Sequence, residues 1–365
     1  MQPLKGLKVV AVEQAVAAPF ATGRLADAGA EVIKIERPTG DFARGYDDTA
    51  AGQSSYFVWL NRGKRSEVLD LASDEGRKAL RALIADADVL VQNLKPGAMA
   101  RMGLDPADLR AAYPRLITCC ISGYGETGPM ADRKAYDLLI QAESGLSSIT
   151  GGPDEPSRVG VSIVDIATGA TAHAAILEAL IQRSITGKSV GIHVSMFDVM
   201  ADWMAVPLLQ HEGGKTPKRV GLAHPSIAPY GAFSGSDGSV FLISVQSERE
   251  WQSLCTHVLG DSDIPKDPRF ASTVARVTNR AETDALVAAA FARRTGQELV
   301  ADLTRADTAF AQVNDMAGLS AHPHLRRVTV ATPNGPVNLP APAAIFSDGT
   351  RRLGPVPAIG ETPEE

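Results

Sequence analysis

The stretch LKVVAVEQAVAAPFATGRLADAGAEVIKIE, residues 7–36, decides the fold of this chain. Its beginning, Leu7–Val12, is an apolar and β-branched run of strand length. Pro19 then marks the start of a helix, and Gly29 ends the helical pattern. Glu31–Glu36 is a second segment of strand length, rich in Val and Ile. A strand, a helix and a strand in this order predict a βαβ unit, with parallel strands and a right-handed crossover.

The same alternation continues further along the chain. A predicted helix at Asp74–Asp86 leads into a strand at Val89–Gln92, and a helix at Pro106–Ala112 leads into a strand at Leu116–Ser122. Each of these strands ends in a polar or glycine-rich turn. Because ligands bind at the carboxyl ends of strands in open α/β sheets, the pattern predicts the functional site at these turns.

The pattern changes after Gly213-Gly214. The tetrapeptide Gly235-Ser236-Asp237-Gly238 lies between Tyr230–Ser234 and Ser239–Ser244 and predicts a β-hairpin of these two segments. Helices are predicted to follow at Glu248–His257, Glu282–Ala292 and Gly296–Arg305. This region is predicted to be a compact α+β lobe, followed from about Pro323 by an extended, proline-rich tail with candidate strands at Arg327–Ala331 and Asn338–Phe346. The predicted domains are residues 1–210 for the N-terminal part of a large domain, 225–310 for a small domain, and 323–365 for a C-terminal return to the large domain.

Length and charge limit the class of protein. A chain of 365 residues exceeds the size at which single hydrophobic cores usually stop growing, so a larger and a smaller lobe are expected. The net charge of −6 argues against a nucleic-acid-binding protein, which normally has a basic excess, but it allows a local basic pocket for a phosphorylated ligand. No apolar leader and no apolar run approaching about 18 residues are present, which predicts a cytoplasmic protein.

Several familiar motifs are absent from the sequence. No G-x-G-x-x-G follows the first strand, which argues against an NAD or FAD site, and no Walker loop, G-x-S-x-G or H-E-x-x-H occurs. Cys119, Cys120 and Cys255 lack the spacing of metal ligands, so no metal is predicted.

Two kinds of residue stand out as candidates for a site. Arg37, Lys95, Arg101 and Lys134 lie in or near the turns at strand ends, where they could bind phosphates together; the alternative is that they are ordinary solvated charges. Asp165 lies where an apolar run meets the start of a long helix. The pattern favours a helix N-cap, and a carboxylate held ionised in that position is also able to attack a thioester carbonyl.

A series of short motifs occurs in a fixed order along nearly the whole chain. They are LADAGAEVIKIERP (25–38), NRGKRS (61–66), NLKPG (93–97), RMG (101–103), SGYG (122–125), KAYD (134–137), VDIATG (164–169), HVSMFD (193–198) and DPRF (267–270). This ordered series resembles the class III CoA-transferases, the CaiB/BaiF family that includes formyl-CoA transferase. The resemblance implies a Rossmann-like large domain, a smaller α+β domain, and a homodimer whose two subunits are threaded through one another like links.

The resemblance also implies roles for individual residues. Asp165 aligns with the catalytic aspartate of the family. Substrate contacts are implied for Gln14, Tyr136 and His224, the last of these in a rigid His224–Pro229 loop. The positions similar to CoA contacts are Val16, Ala17, Arg37, Leu69, Ala72, Asn93, Leu94, Lys95, Arg101, Met102, Arg133, Lys134, Ala135 and Tyr136. No cofactor is permanently bound; coenzyme A and acyl-CoA are substrates, and the other partners are small carboxylic acids.

The implied activity is the transfer of CoA from an acyl-CoA thioester to a carboxylic acid through an aspartyl anhydride and an aspartyl-CoA thioester on Asp165. Val16 replaces the glutamine of the formyl-CoA branch, so the chain looks more like branches acting on C4–C5 dicarboxylates such as succinate, mesaconate, citramalate or itaconate. One alternative is an α-methylacyl-CoA racemase, although Tyr136 stands where that enzyme has its histidine. The other alternative is a non-catalytic acyl-CoA-binding protein.

Overall fold

The computed structural model describes residues 2–349, 351 and 353–361. The chain forms two compact units. The first contains Met1–Ser147, Arg158–Leu209 and Arg326–Glu365, and the second contains Ser148–Ser157 and Gln210–Leu325. The polypeptide therefore leaves the first unit and returns to it twice.

The strands and helices are numbered in chain order. The strands are β1 (Lys8–Val12), β2 (Glu31–Glu36), β3 (Lys64–Val68), β4 (Val89–Gln92), β5 (Ile117–Ser122), β6 (Gly191–Ser195), β7 (Tyr230–Ser234), β8 (Val240–Ser244), β9 (Ala309–Gln312), β10 (Arg327–Val330) and β11 (Val337–Pro340). The helices are α1 (Ala17–Asp27), α2 (Ser55–Asn61), α3 (Asp74–Ala85), α4 (Ala98–Arg101), α5 (Pro106–Ala112), α6 (Asp137–Glu143), α7 (Leu146–Ile149), α8 (Ile163–Thr186), α9 (Met196–Trp203), α10 (Ala205–Glu212), α11 (Glu248–Leu254), α12 (Thr273–Thr278), α13 (Arg280–Phe291), α14 (Gly296–Arg305) and α15 (Met316–Ser320).

The first unit is built on a six-stranded sheet of order β3-β2-β1-β4-β5-β6. Every neighbouring pair in it is parallel, which confirms the α/β prediction. The chain moves outward from β1 in one direction to β3 and then crosses to β4 on the other side of β1. The crevice between the ends of β1 and β4 is thus the topological switch point, where ligands bind in sheets of this kind.

Both faces of this sheet are covered by helices. On one face, Leu25 of α1 and Ile176 of α8 pack against buried side chains of β1, β4 and β5. On the other face, Leu80 of α3 and Leu109 of α5 pack against Val10 and its neighbours. Because each strand is buried on both sides, β1, β4 and β5 are almost continuously apolar, which is why their positions were predictable from sequence.

Strand β3 and helix α2 were not predicted. The sequence of β3, Lys64-Arg65-Ser66-Glu67-Val68, is polar, yet it pairs in parallel with β2 along its full length. The side chain of Lys64 is fully buried, where it forms an ion pair with Glu13. A strand whose charged residue is neutralised by a partner 51 positions away in the sequence gives no hydrophobic pattern to find.

Among the described residues, one helix, α8, is long and apolar enough to cross a membrane by length and composition alone. Within the first unit it packs closely on α1 and also contacts β5 and β6. The helix thus packs against the core of the first unit, and core helices of soluble proteins commonly meet the same criterion.

The second unit contains an antiparallel sheet of order β7-β8-β9. The predicted hairpin is present, because β7 pairs with β8 across Gly235–Gly238. Strand β9 was missed, and the helix predicted to reach His257 becomes a π-helical turn at Cys255–Leu259. Trp251, Phe291 and Leu303 lie in the core of this unit.

The C-terminal tail belongs to the first unit and forms the hairpin β10–β11. A strand was predicted at Asn338–Phe346, and the second half of that prediction is wrong, since β11 ends at Pro340. Pro340 and Pro342 have no backbone N–H to donate to a sheet, which ends the pairing there. Beyond this hairpin, the backbone N–H of Gly63 donates to the carbonyl of Pro355 at 2.7 Å, next to β3.

Candidate active site

A cavity of about 720 Å³ opens at the carboxyl edge of the six-stranded sheet, within the first unit. Its walls come from the segments that follow β1, β4 and β5 and from the beginning of α8. The lining residues are Gln14, Ala15, Val16, Ala17, Phe42, Tyr46, Tyr56, Asn93, Leu94, Lys95, Pro96, Arg101, Ile121, Ser122, Gly123, Ala131, Asp132, Arg133, Lys134, Ala135, Tyr136, Asp137, Leu138, Arg158, Ser162, Asp165 and Met196. The site therefore forms where parallel-sheet topology predicts it.

The loops at the switch point are held together by a pair of reciprocal hydrogen bonds. The backbone N–H of Gln14 donates to Asn93 Oδ1 at 3.0 Å, and Asn93 Nδ2 donates to the carbonyl of Gln14 at 2.8 Å. The side-chain amide of Asn93 thus acts as a substitute for a strand partner after β1 and β4 have separated. Its role in this structure is to fix one loop against the other at the cavity wall.

A cluster of buried charges supports the loop that follows β1. Lys34 Nζ lies 2.8 Å from Asp41 Oδ2, and Lys64 Nζ lies 2.6 Å from Glu13 Oε1. Burial opposes the charge on Glu13, but Lys64 and Lys34 hold its pKa below the ordinary value. Burial lowers the pKa of Lys64 to about 8. The positive charges of the two lysines equal the negative charges of the two carboxylates. Such pairing is the condition under which ionised groups are tolerated in a protein interior.

This cluster connects directly to the cavity through Asp41. Its Oδ1 accepts a hydrogen bond from the backbone N–H of Ala15 at 3.3 Å and another from Ala43 at 3.0 Å. Ala15 lines the cavity and has a φ of +63°, a left-handed conformation that is costly for a residue with a Cβ. The hydrogen bond that Ala15 donates to Asp41 stabilises this strained turn at the cavity wall.

Asp165 lies in the first turn of α8 but does not cap the helix, so the capping role predicted from sequence is wrong. The N-cap residue is Ser162, and its side chain makes no capping hydrogen bond. The cap is supplied from elsewhere in the chain. Asp137 Oδ1 accepts from the backbone N–H of Val164 at 2.8 Å and from that of Asp165 at 3.3 Å.

The Asp165 side chain is consequently left free. Among the residues that the structure describes, no group donates a hydrogen bond to its carboxylate. Desolvation in the cavity wall, with a smaller contribution from the charge of Asp137, raises the pKa of Asp165 to about 7. The expectation that the helix start would keep this carboxylate firmly ionised is therefore also wrong: its negative charge is destabilised, and a destabilised carboxylate is a more reactive nucleophile.

Close packing of α8 on α1 directs Asp165 toward the start of α1. Gly169 is four residues after Asp165 and hence on the same helix face. A Cβ built on Gly169 would lie 2.5 Å from the carbonyl oxygen of Ala17 and 2.8 Å from Phe20 Cβ. Only a glycine permits this approach. Ala17, the first residue of α1, lines the same cavity as Asp165.

Three tyrosines, Tyr46, Tyr56 and Tyr136, line the same cavity as Asp165. Tyr46 packs edge-to-face on Tyr56 with ring centroids 5.5 Å apart, and Tyr56 Oη lies 3.3 Å from Ser162 Oγ. Loss of solvation, together with the charges of Asp41 and Asp165, raises the pKa of Tyr46 to about 12. Tyr136, largely exposed, forms part of the same wall.

The segment Lys134–Tyr136 is positioned by a second close approach. A Cβ on Gly123, the residue after β5, would lie 2.2 Å from Ala135 Cβ. Of the basic residues that line the cavity, Arg133 pairs with Glu143 at 3.3 Å. In the described part of the chain, Lys95, Arg101, Lys134 and Arg158 have no carboxylate within ion-pair distance, so the cavity carries unneutralised positive charge.

Most of the residues proposed from sequence meet in this cavity. Those that line it are Gln14, Val16, Ala17, Asn93, Leu94, Lys95, Arg101, Arg133, Lys134, Ala135, Tyr136 and Asp165. Arg37, Leu69, Ala72 and Met102 do not line it. The first three follow the ends of β2 and β3, at the same edge of the sheet, and Met102 follows α4. His224 belongs to the second unit, where its ring stacks on Tyr230 with centroids 5.1 Å apart.

Sequence reasoning missed several cavity residues, including Tyr46, Tyr56 and Arg158. They lie in segments without regular periodicity, and only the fold brings them to Asp165. It also missed a cluster of potential metal ligands outside the cavity lining, Cys120, Glu126 and His193, whose ligand atoms lie within 4.8 Å of one another. These three residues come from β5, the following loop and β6, so no sequence spacing reveals them.

A parallel sheet covered on both faces, with a basic cavity and a free carboxylate at its carboxyl edge, defines an α/β enzyme of the Rossmann-like type. The chain belongs to CoA-transferase family III, whose family model matches residues 4–362. The family inferred from the ordered motifs is thereby confirmed, and with it the assignment as an enzyme that uses CoA thioesters.

Individual relatives show how far the likeness extends. The chain is 34% identical to a succinate–glutarate CoA-transferase of Agrobacterium fabrum, over 98% of this chain and 93% of the relative. It is 40% identical to an acetyl-CoA:oxalate CoA-transferase of Acetobacter aceti, over 79% of this chain and 74% of the relative. A crystal structure of a CaiB/BaiF family protein from Brucella suis superposes with a TM-score of 0.86 at 38% identity, covering 98% of this chain and 96% of that one.

Proposed function

We propose that this enzyme transfers CoA from an acyl-CoA to a dicarboxylic acid of four or five carbons, with Asp165 as the nucleophile. The observation that carries the proposal is the Asp165 carboxylate itself, which faces a basic cavity, accepts no hydrogen bond from the described residues and has a pKa raised to about 7. Members of the family that act on succinate and glutarate support the choice of acid.

The reaction proceeds in four balanced steps. An Asp165 oxygen attacks the donor thioester carbonyl, the C–S bond breaks, and CoA leaves as a thiolate from a mixed anhydride. The thiolate then attacks the aspartyl carbonyl, which releases the donor acid as its carboxylate and forms an aspartyl-CoA thioester. The acceptor carboxylate attacks the aspartyl thioester carbonyl, the C–S bond breaks, and CoA leaves as a thiolate from a second anhydride. The thiolate then attacks the acceptor acyl carbon of this anhydride and releases Asp165 as its carboxylate. No proton and no ATP are consumed.

The start of α1 supplies the electrostatic stabilisation that these steps need. Each step passes through a tetrahedral oxyanion, and backbone N–H groups at a helix N-terminus are suited to bind one. Val16 and Ala17 stand at that terminus on the cavity wall. Their position against Gly169 of α8 keeps these donors and Asp165 in one fixed arrangement.

The CoA moiety is proposed to lie along the carboxyl edge of the sheet. Lys95 and Arg101 bind phosphate groups, and Arg37, Leu69, Ala72 and Met102 continue the binding surface toward β2 and β3. Asn93, Leu94 and the segment Arg133–Tyr136 line the pantetheine and thioester, while Gln14 and Tyr136 are proposed contacts of the acid. We further propose a cytoplasmic enzyme that works as an interlocked homodimer, with large-domain segments at 1–210 and 323–365 and a small domain at 225–310.

The racemase alternative is disfavoured by the side chains around Asp165. Racemisation requires two acid–base groups on opposite sides of the α-carbon. The tyrosines in the cavity are candidates for the second group. The pKa of Tyr46 is raised to about 12, which makes this tyrosine a poor base at neutral pH. A carboxylate nucleophile without a partner base fits acyl transfer.

A direct test combines product analysis with protein mass. The enzyme is incubated with succinyl-CoA and a panel of carboxylic acids, and both the CoA esters and the intact protein are followed by mass spectrometry. New CoA esters and a covalent adduct are expected for the wild type and neither for Asp165→Ala. Near-normal turnover by that variant would overturn the mechanism, and deuterium uptake at C2 of a branched acyl-CoA without exchange of acids would establish a racemase.

A further inference from the structure

The unneutralised positive charge of the cavity lies in three places. Lys95 and Arg101 lie on the segment after β4, and Lys134 lies on the segment after β5 that is proposed to line the thioester. Arg158 lies near the start of α8, together with Asp165. We infer that Arg158 binds the distal carboxylate of the acid whose other carboxylate reacts at Asp165, and that this contact makes the enzyme selective for dicarboxylic acids. The inference rests on the proposed function and assigns the residue that selects its substrate.

Arg158 and Asp165 are held by the same pair of side chains, Gln141 and Asp137. Gln141 is fully buried, and its Nε2 donates to Asp137 Oδ2 at 2.7 Å. Gln141 Oε1 accepts from the backbone N–H of Val159, next to Arg158, at 2.9 Å. Asp137 Oδ1 accepts from the backbone N–H groups of Val164 and Asp165. The backbones that carry the arginine and the nucleophile are thus fixed to one rigid anchor.

The guanidinium group of Arg158 is available for a ligand. It donates one hydrogen bond, from an Nη atom to the carbonyl of Gly160 at 3.0 Å. No carboxylate within the described ranges lies within ion-pair distance of it, and the side chain is exposed on the cavity wall. A guanidinium group presents five N–H donors in a planar fork that matches a carboxylate, so most of its donors remain for a bound acid.

The arrangement separates the two kinds of negative charge that the reaction brings in. The phosphates of CoA meet the cations after β4, and a second carboxylate on the acyl group meets Arg158. A monocarboxylic acid would leave Arg158 without a partner and gain nothing from it. Charge pairing at the end of the acid remote from the reaction therefore distinguishes succinate or glutarate from butyrate or valerate.

The test uses isotope exchange, because it requires only one acid at a time. The enzyme is incubated with succinyl-CoA and ¹³C-succinate, and separately with butyryl-CoA and ¹³C-butyrate, and label entering each thioester is measured. For Arg158→Met we expect a loss of about 10- to 100-fold in kcat/KM for the succinate exchange, the effect of removing one charged hydrogen-bonded contact, and a change below about 3-fold for the butyrate exchange. Arg158→Lys, which keeps the charge but not the fork, is expected to fall between.

Two controls give the result its meaning. Arg115 is an exposed arginine of the same unit that does not line the cavity, and Arg115→Met is expected to leave both exchanges unchanged. Arg158→Glu is expected to favour exchange of 4-(trimethylammonio)butyrate, whose quaternary ammonium cannot cyclise onto the thioester, over exchange of succinate, since the charge requirement is reversed. Equal losses for succinate and butyrate in Arg158→Met, or no loss for either, would overturn the assignment. Absence of exchange with any acid in the wild type would instead overturn the proposed function.

Discussion

The carboxylate of Asp137 accepts a hydrogen bond from the backbone N–H of Val164 at 2.8 Å and thereby caps a helix to which it does not belong. Asp165 stands in the first turn of that helix, where an aspartate would normally compensate the helix dipole itself. Since Asp137 already occupies the backbone donors, the Asp165 side chain projects into the cavity. One carboxylate stabilises the helix start, and the other is left free for chemistry.

Asp137→Ala should lower activity by displacing the nucleophile rather than by removing a catalytic group. The start of α8 loses its cap, which costs about 1 kcal/mol, and the buried amide of Gln141 loses an acceptor. We expect a fall in kcat of at least about tenfold with little change in KM for acyl-CoA. Steady-state kinetics on a folded variant, verified by circular dichroism, checks this, and an unaltered kcat would mean that the cap does not position Asp165.

The rate of transfer should depend on the ionisation of Asp165. Because its pKa is raised to about 7, kcat/KM for acyl-CoA should rise about tenfold per pH unit below that value and level off above it. Asp137→Asn keeps a carbonyl oxygen for Val164 but removes a negative charge that raises this pKa, so the rising limb should move to lower pH. A limb near pH 4 in the wild type would show that the carboxylate is not destabilised.

Asp165→Asn should stabilise the folded protein at alkaline pH. With a pKa moved from 3.8 to about 7, the folded state binds more protons than the unfolded state between these values. Stability from this group is therefore fully present below pH 3.8 and is lost as pH rises through 7. The neutral variant avoids the loss, so we expect a gain of about 1–3 kcal/mol at pH 8.5, reduced because the side chain is partly solvated, and somewhat more than a third of that gain at pH 5, where only part of the stability has been lost. Denaturant titration at both pH values tests the difference, which vanishes if the carboxylate is unperturbed.

Gly169→Ala should separate α1 from α8. Helix propensity alone would favour alanine by about 1 kcal/mol, but the new Cβ would lie 2.5 Å from the carbonyl oxygen of Ala17. We expect a net destabilisation of about 1–3 kcal/mol and a larger loss of kcat than of acyl-CoA affinity, since Asp165 moves relative to the start of α1. Gly152→Ala, which has open space around the new Cβ, is the matched control. Equal behaviour of the two variants would refute the packing argument.

Glu13→Gln should destabilise the first unit strongly. Glu13 contacts both Lys64 and Lys34, and each of these side chains is fully buried. Removing one charge from a balanced buried cluster leaves an uncompensated cation and costs about 3–5 kcal/mol. Glu67→Gln breaks the partly exposed pair with Arg65 on the same strand and should cost less than about 1 kcal/mol. Thermal unfolding of both variants distinguishes the buried pair from the exposed one.

Much of the scaffold was predictable because its information is local. Strand β2, strand β4, helix α5, strand β7 and helix α14 were predicted with the bounds that the structure shows. Apolar runs, a helix-starting proline and a helix-ending glycine each act within a few residues, so one sequence window contains them. The polar strand β3 was not predicted, because the burial of its Lys64 depends on Glu13, in a different part of the chain.

The sequence by itself determined the parallel sheet, the edge at which the site lies, and Asp165 as the candidate catalytic residue. Tertiary structure alone decided what that residue is able to do. Whether Asp165 caps its helix or faces the cavity depends on Asp137. The pKa of its carboxyl group depends on how much water the surrounding segments exclude. Hydrogen bonding and solvation of a side chain are set by neighbours that are distant in sequence, and no local pattern encodes them.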